Sequence, residues 1–274
     1  MSYATVMVHV EFDAAADDRI RLALGLAAAF EATLIGVAAW APRPPFVTDG
    51  IAVDGELVAQ EYRYVADQLA TRERSFRALA AAHRQPIEWR SAADLPTEYL
   101  ADQARAADLI VIGHDSAPAD AHRLVDPASL LLRSGRPVIA VPAGVSALAA
   151  RRVVIGWKDT RESRRAVSDA LPLLHRAEEV SVVSICEDGM EKRARAGVDD
   201  VAGFLGRHRI DARVEVVDAA GAGAGDVLLR LAAEREVDLV VAGAYGRSRL
   251  GEWIFGGATR TLTTKSPICC LFSH

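Results

Sequence analysis

At 274 residues, 51% of them hydrophobic, the chain can bury one large core or two ordinary ones, because domains of about 100–150 residues are the commonest size. A formal net charge of −5 and a pI near 5.8 argue against a basic field of the kind that draws a protein to nucleic acid or an anionic membrane. Met1–Val10 enters a strand-like segment without the features of a signal peptide, and no apolar run approaches the ~20 residues that span a bilayer, so a cytoplasmic location without membrane or nucleic-acid partners is expected.

In chain order, short β-rich or continuous apolar runs predict strands over Thr5–Val10, Thr33–Ala39, Ile87–Arg90, Leu109–Ile112 and Val138–Val141. Helical spacing of apolar residues falls between them, over Asp17–Phe30, Gly55–His83 and Pro96–Ala106. After Ala143–Arg151, a short junction, the plan recurs. Strands are predicted over Val153–Trp157, Val180–Ile185, Arg213–Val217, Leu239–Ala242 and Ile268–Phe272, with helices over Glu162–His175, Met190–His208, Asp226–Glu234 and Thr259–Thr264. Strands alternating with helices imply right-handed crossovers and a mainly parallel sheet covered on both faces. Ligands of such sheets bind beyond the carboxyl ends of the strands.

The two halves also match residue by residue. Asp108-Leu-Ile-Val-Ile-Gly113 stands over Asp238-Leu-Val-Val-Ala-Gly243, and Arg136-Pro137-Val-Ile-Ala-Val over Ser266-Pro267-Ile-Cys-Cys-Leu, both at an offset of 130 residues. At that offset Ala128 meets Ala258, Ser129 meets Thr259 and Leu132 meets Leu262. So long a period indicates duplicated domains, not a solenoid.

Chemistry concentrates in one connection, from Gly243 through Gly246, Arg247, Gly256 and Gly257 to Thr259, between a predicted strand and a predicted helix. Glycines there admit positive φ and close backbone approach, and free N–H groups at a helix start attract an anion. The same glycines also suit tight turns or helix packing, and Thr259 also suits a cap. In the first half the matching positions at this offset are Gly113-His-Asp-Ser116 and Asp126-Pro127, where a carboxylate and a missing N–H both oppose phosphate. Pro42–Pro45, with Asp49 and Gly50, reads as an extended loop over that half's site.

The spacing Gly243-x2-Gly246-x9-Gly256 resembles the nucleotide-binding signature of the universal stress protein family, and the duplication makes nearly the whole chain resemble a tandem member of it. The resemblance implies an α/β fold of two tandem doubly wound domains, 1–145 and 150–274, each with a five-stranded mainly parallel sheet of order 3-2-1-4-5. It implies a nucleotide cleft in the second domain at Trp157, Lys158, Asp159, Ile185, Gly243, Gly246, Arg247, Gly256, Gly257, Ala258 and Thr259, for ATP or AMP, with Mg2+ for a triphosphate. It further implies antiparallel pairing of the two fifth strands as an intramolecular pseudo-dimer, homodimerisation, and a regulatory role in the stress response. The chain departs from the family pattern where Lys158 replaces an acid after the first strand and Gly257 replaces a hydroxyl residue after the third glycine. A slow ATPase or nucleotidyl-transfer enzyme, and a scaffold without nucleotide, remain the alternatives.

Other candidates carry less. Gly221-Ala-Gly223-Ala-Gly225 lacks the full dinucleotide pattern and reads as a connection. The seven histidines show no metal or nucleophile–base spacing, and His114-Asp115-Ser116 reads as an altered turn rather than a triad. Glu11 and Asp13 follow the first strand, where active-site acids occur but caps occur too. Cys186, Cys269 and Cys270 fall in predicted strands as small core residues, the last two on opposite faces.

Overall fold

A computed structural model describes residues 2–43, 55–114, 122–186, 190–244 and 257–274. Of the residues singled out above, Pro44, Pro45, Asp49, Gly50, Asp115, Ser116, Gly246, Arg247 and Gly256 lie outside the described residues.

The first half runs β1 (Thr5–His9), α1 (Ala16–Phe30), β2 (Thr33–Ala39), α2 (Gly55–Ala80), β3 (Ile87–Ala92), α3 (Pro96–Gln103), β4 (Leu109–Gly113), α4 (Pro127–Ser134) and β5 (Val138–Val141). The second runs β6 (Arg152–Trp157), α5 (Arg161–Leu174), β7 (Glu179–Cys186), α6 (Glu191–Arg207), β8 (Arg213–Asp218), α7 (Ala224–Glu234), β9 (Leu239–Gly243), α8 (Gly257–Lys265) and β10 (Cys269–Ser273). All ten expected strands are present. The expected helix to Ala106 ends as α3 at Gln103 and tightens into a 3-10 turn over Ala104–Ala106.

The strands form one sheet of order β3-β2-β1-β4-β5-β10-β9-β6-β7-β8, so each half has the expected order 3-2-1-4-5. Pairing is parallel within each half, and β5 meets β10 antiparallel through Val138–Phe272, Ile139–Leu271 and Ala140–Cys270. Two sheet edges that would otherwise stay open satisfy each other in this way. Hydrogen bonds brace the seam: Tyr3 Oη donates to the Asp169 carbonyl at 2.6 Å, Arg165 to that of Gly135 at 3.1 Å, and Arg176 to that of Ala29 at 3.2 Å.

Strand residues alternate between two apolar layers that each cross both halves. Val6 and Val8 face the layer under α1, α2, α5 and α6, whereas Met7 faces the layer under α3, α4, α7 and α8. Cys269 and Cys270 divide between these layers as expected, and burial pushes both thiols up to about 12. Asp108 and Asp238 explain one repeated motif: each carboxylate accepts two backbone N–H groups at the start of its half's central strand, from Ala4 and Thr5 or from Arg151 and Arg152.

The constant offset of 130 requires correction. Ile110 pairs with Val138, 28 residues on, whereas Val240 pairs with Cys270, 30 residues on. Ser134 and Ser266 are the structural counterparts, since each hydroxyl donates to the carbonyl, and accepts from the N–H, of the residue two positions later. Leu262, fully buried, therefore corresponds to Leu130, also fully buried, and not to Leu132, which is 38% exposed. The span between the paired strands is thus two residues longer in the second half, and aligned on the buried leucines Asp126-Pro127 matches Ala258-Thr259 rather than Gly256-Gly257. Asp126 caps α4, accepting from the backbone N–H groups of Ala128 at 3.2 Å and Ser129 at 3.1 Å. The donors that would draw an anion to that helix are already satisfied.

Candidate functional site

Strand register identifies equivalent positions at the carboxyl ends of the sheet. Val6 pairs with Leu109 and Leu34 as Val153 pairs with Leu239 and Val180. Counting along the chain, His9 corresponds to Gly156, Val10 to Trp157, Glu11 to Lys158, Phe12 to Asp159 and Trp40 to Cys186.

In the second half these ends open into a cleft of about 1210 Å3. Trp157, Lys158 and Asp159 after β6, and Ser184, Ile185 and Cys186 of β7, form its floor. One wall is α5 through Arg164, Val167 and Ser168; the other is α6 through Arg193, Gly197, Val201 and Phe204. The turn into α7 closes the far end with Ala219, Ala222 and Gly223, and Gly221 within it has a φ of +77°. The glycine run read as a connection is thus a turn that borders the cleft.

The charges at the cleft are unevenly paired. Arg164 forms an ion pair with Asp159, while Lys158 and Arg193 form none among the described residues. Thr160 caps α5 by accepting from the Ser163 N–H at 3.3 Å, which fixes where the strand-to-helix turn ends. Glu162, buried in the first turn, is disfavoured as an anion by burial; hydrogen bonds from Arg161, its own N–H and Thr160, with the Arg161 charge, outweigh this and lower its pKa.

The structure thus brings Trp157, Lys158, Asp159 and Ile185 together around one cavity. Gly243 does not line it: a Cβ there would lie 2.4 Å from the Ser163 backbone nitrogen, so the glycine lets the start of α5 pack on the end of β9. Gly257, Ala258 and Thr259 form the first turn of α8, with Gly257 exposed and Thr259 buried. The α6 wall was invisible in the sequence reading because its residues are an ordinary amphipathic pattern until β7 places the helix beside α5.

The first half fills the equivalent region. Phe12 and Trp40 meet edge to face with ring centroids 4.7 Å apart, Tyr64 packs on Trp40 at 5.6 Å, and Arg72 and Arg123 lie over the two inner rings. On the other side of β1, His9, Glu11 and Arg19 are buried to 1%, 1% and 3% exposure. Glu11 accepts from His9 at 3.1 Å and pairs with Arg19 at 3.4 Å, and Arg19 reaches Asp13 at 3.2 Å. Burial opposes ionisation of Glu11, but the His9 hydrogen bond, the charges of His9 and Arg19, and a hydrogen bond with Asp13 hold its pKa below the usual carboxylate value. The Arg19 guanidinium occupies the space against Gly113, where a Cβ would lie 2.5 Å from Nη2. Sequence reasoning found Glu11 and Asp13 but missed His9, at the end of β1 two residues before Glu11, and Arg19, which α1 brings to them.

Comparison with known proteins agrees with this architecture. Residues 149–273 match the universal stress protein family model. Two crystal structures share the fold across the chain: a universal stress protein from Archaeoglobus fulgidus (14% identity, 97% of this chain and 94% of that chain, TM-score 0.67) and a functionally unknown protein from Pseudomonas aeruginosa (15% identity, 98% and 92%, TM-score 0.60). No curated protein matches the sequence significantly. Among the described residues, no helix is long and apolar enough to cross a membrane.

Proposed function

We propose that the chain is a tandem universal stress protein, with domains over 1–145 and 150–274, acting as a ligand-responsive regulatory module that takes an adenine nucleotide in the second. The observation that carries this reading is the open cleft at the carboxyl ends of β6 and β7, with largely apolar walls and, beside it, the cations Lys158 and Arg193, which have no ion-pair partner among the described residues. Open parallel sheets bind ligands at this end, and small-molecule sites combine apolar walls with a few polar groups. The apolar walls suit a planar base; the two cations suit phosphate. Lys158 can only donate, so it would serve the anionic part of the ligand and not an acceptor-seeking ribose or base N–H.

Magnesium would accompany a triphosphate. Among the described residues no group of three or more His, Cys, Asp and Glu side chains is arranged to hold a metal, so the ion would be carried chiefly by the phosphates, as nucleotide-bound Mg2+ commonly is. Binding regulates by favouring one conformation over another.

Mass spectrometry of small molecules released from undialysed protein, joined to ATP and AMP calorimetry, tests the proposal. Nucleotide in about one-to-one amount supports it, and turnover assays then separate a sensor from a slow ATPase. Neither co-purified nucleotide nor binding heat rejects it in favour of a scaffold.

A further inference from the structure

The cleft of the second half continues well below the strand ends. On α6 it is lined by Arg193, Ala194, Gly197, Asp200, Val201 and Phe204, which share one helix face. From Arg193 to Phe204 that face runs for about three turns, roughly 16 Å at 1.5 Å per residue. Because α6 returns the chain between the parallel strands β7 and β8, Arg193 lies at their carboxyl ends and Phe204 towards their amino ends. Val167 and Ser168 of α5 face it, and the Trp157 ring, packed on Gly197, belongs to the floor. The two helices stand apart, whereas in the first half α1 packs against α2. There Phe12, Trp40 and Tyr64 fill the upper part, and the fully buried Phe76 lies against Gly36 below them. The open volume of about 1210 Å3 exceeds the roughly 300–1,000 Å3 of ordinary small-molecule sites, so a mononucleotide at the strand ends leaves the lower groove unused.

Charge gives the groove a direction. Lys158 and Arg193 lie at its upper end without an ion-pair partner among the described residues, while Asp159 beside them is paired with Arg164. The exposed Asp200, about two turns further along α6, opposes an anion lower down. Val167, Val201 and Phe204 give that lower part an apolar lining. We propose that the groove takes an unbranched medium-chain alkyl carboxylate, its head at Lys158 and Arg193 and its chain laid along α6 towards Phe204. The inference goes beyond the nucleotide reading, sharing its two cations but adding the lower groove, so the carboxylate and AMP compete.

Calorimetry on the full chain with octanoate, decanoate and dodecanoate, each below its micelle-forming concentration, tests the proposal. A methylene taken fully out of water raises affinity up to about fourfold, so in a groove open on one side dodecanoate should bind at least about tenfold more tightly than octanoate. One carboxylate per chain is expected. Arg193→Gln should weaken decanoate about two- to fivefold, the range of an exposed ion pair. Ser168→Trp fills the groove from the exposed side of α5 and should remove decanoate binding, with urea unfolding reporting whether the variant folds. Equal affinities along the series, several carboxylates per chain, or undiminished decanoate binding in Ser168→Trp would overturn the proposal. If Ser168→Trp does not fold, the chain-length series and stoichiometry of the parent decide it. AMP titration of the parent reads the nucleotide proposal separately. AMP displaced by decanoate supports both; AMP and decanoate bound together would overturn the shared head position. AMP binding without chain-length dependence would leave the nucleotide alone, and a chain-length series without AMP binding would leave the carboxylate alone.

Discussion

The carboxyl ends of β1 and β6 hold the same place in two halves of one sheet, yet one is closed and the other open. Glu11 in the first is buried in a network with His9 and Arg19, whereas Lys158 in the second is exposed beside a cavity. Phe12 and Trp40 pack edge to face as a plug, whereas Asp159 and Cys186, at the matching positions, leave the space between α5 and α6 unfilled. The parallel scaffold sets where a site can be. The side chains at four or five strand-end positions decide whether that place becomes core or cleft.

The largest effect expected from breaking this contrast is at Glu11. Glu11→Ala leaves Arg19 buried with, among the described residues, the half-exposed Asp13 as its one remaining ion-pair partner and should cost about 3–5 kcal/mol in urea unfolding. Lys158→Ala, at the matching position, should change stability by no more than about 0.5 kcal/mol. Similar losses at both would erase the distinction between a structural acid and a ligand-facing cation. Gly243→Ala should follow, at about 1–3 kcal/mol, because the new methyl meets the α5 backbone, which cannot swing aside. An unchanged unfolding midpoint would contradict that packing role. Asp126→Ala should cost about 1 kcal/mol through loss of the α4 cap, and a neutral result would remove the reason for a satisfied helix start in the first half.

The smallest expected effect is a pH dependence. Glu11 has a lowered folded pKa, so the unfolded chain binds the proton first as the solution is acidified. Its contribution is therefore full above the ordinary glutamate value near 4.5 and is lost as the pH falls from there through the lower folded value. Glu11→Gln should flatten the acid limb of stability against pH, measured by urea midpoints at successive pH values. A limb as steep as the parent's would assign the dependence to other carboxylates.

Much of this contrast was legible from composition and pattern. The ten strands, their order and the antiparallel seam follow from alternating apolar runs, the duplicated Asp-led strands and the family resemblance. The repeat offset failed in its last third because Ser-Pro and Arg-Pro make a convincing alignment by residue type, while strand pairing obeys the buried leucines. Half of the cleft was legible too, since Trp157, Lys158, Asp159 and Ile185 sit at strand ends. Arg193, Gly197 and Phe204 were not, because a helix periodicity names the buried face but not the neighbour it leaves a gap against. Gly243 was read for its freedom to approach a ligand, and the same freedom serves the approach of α5.

AMP titration calorimetry on the parent and on Cys186→Trp tests the central claim, that one half is a site and the other its filled counterpart. Tryptophan at 186 restores to the cleft the bulk that Trp40 supplies at the matching position. The account predicts one AMP per parent chain and loss of measurable binding in a folded Cys186→Trp protein. Two molecules per chain, no binding to the parent, or undiminished binding in Cys186→Trp would contradict it.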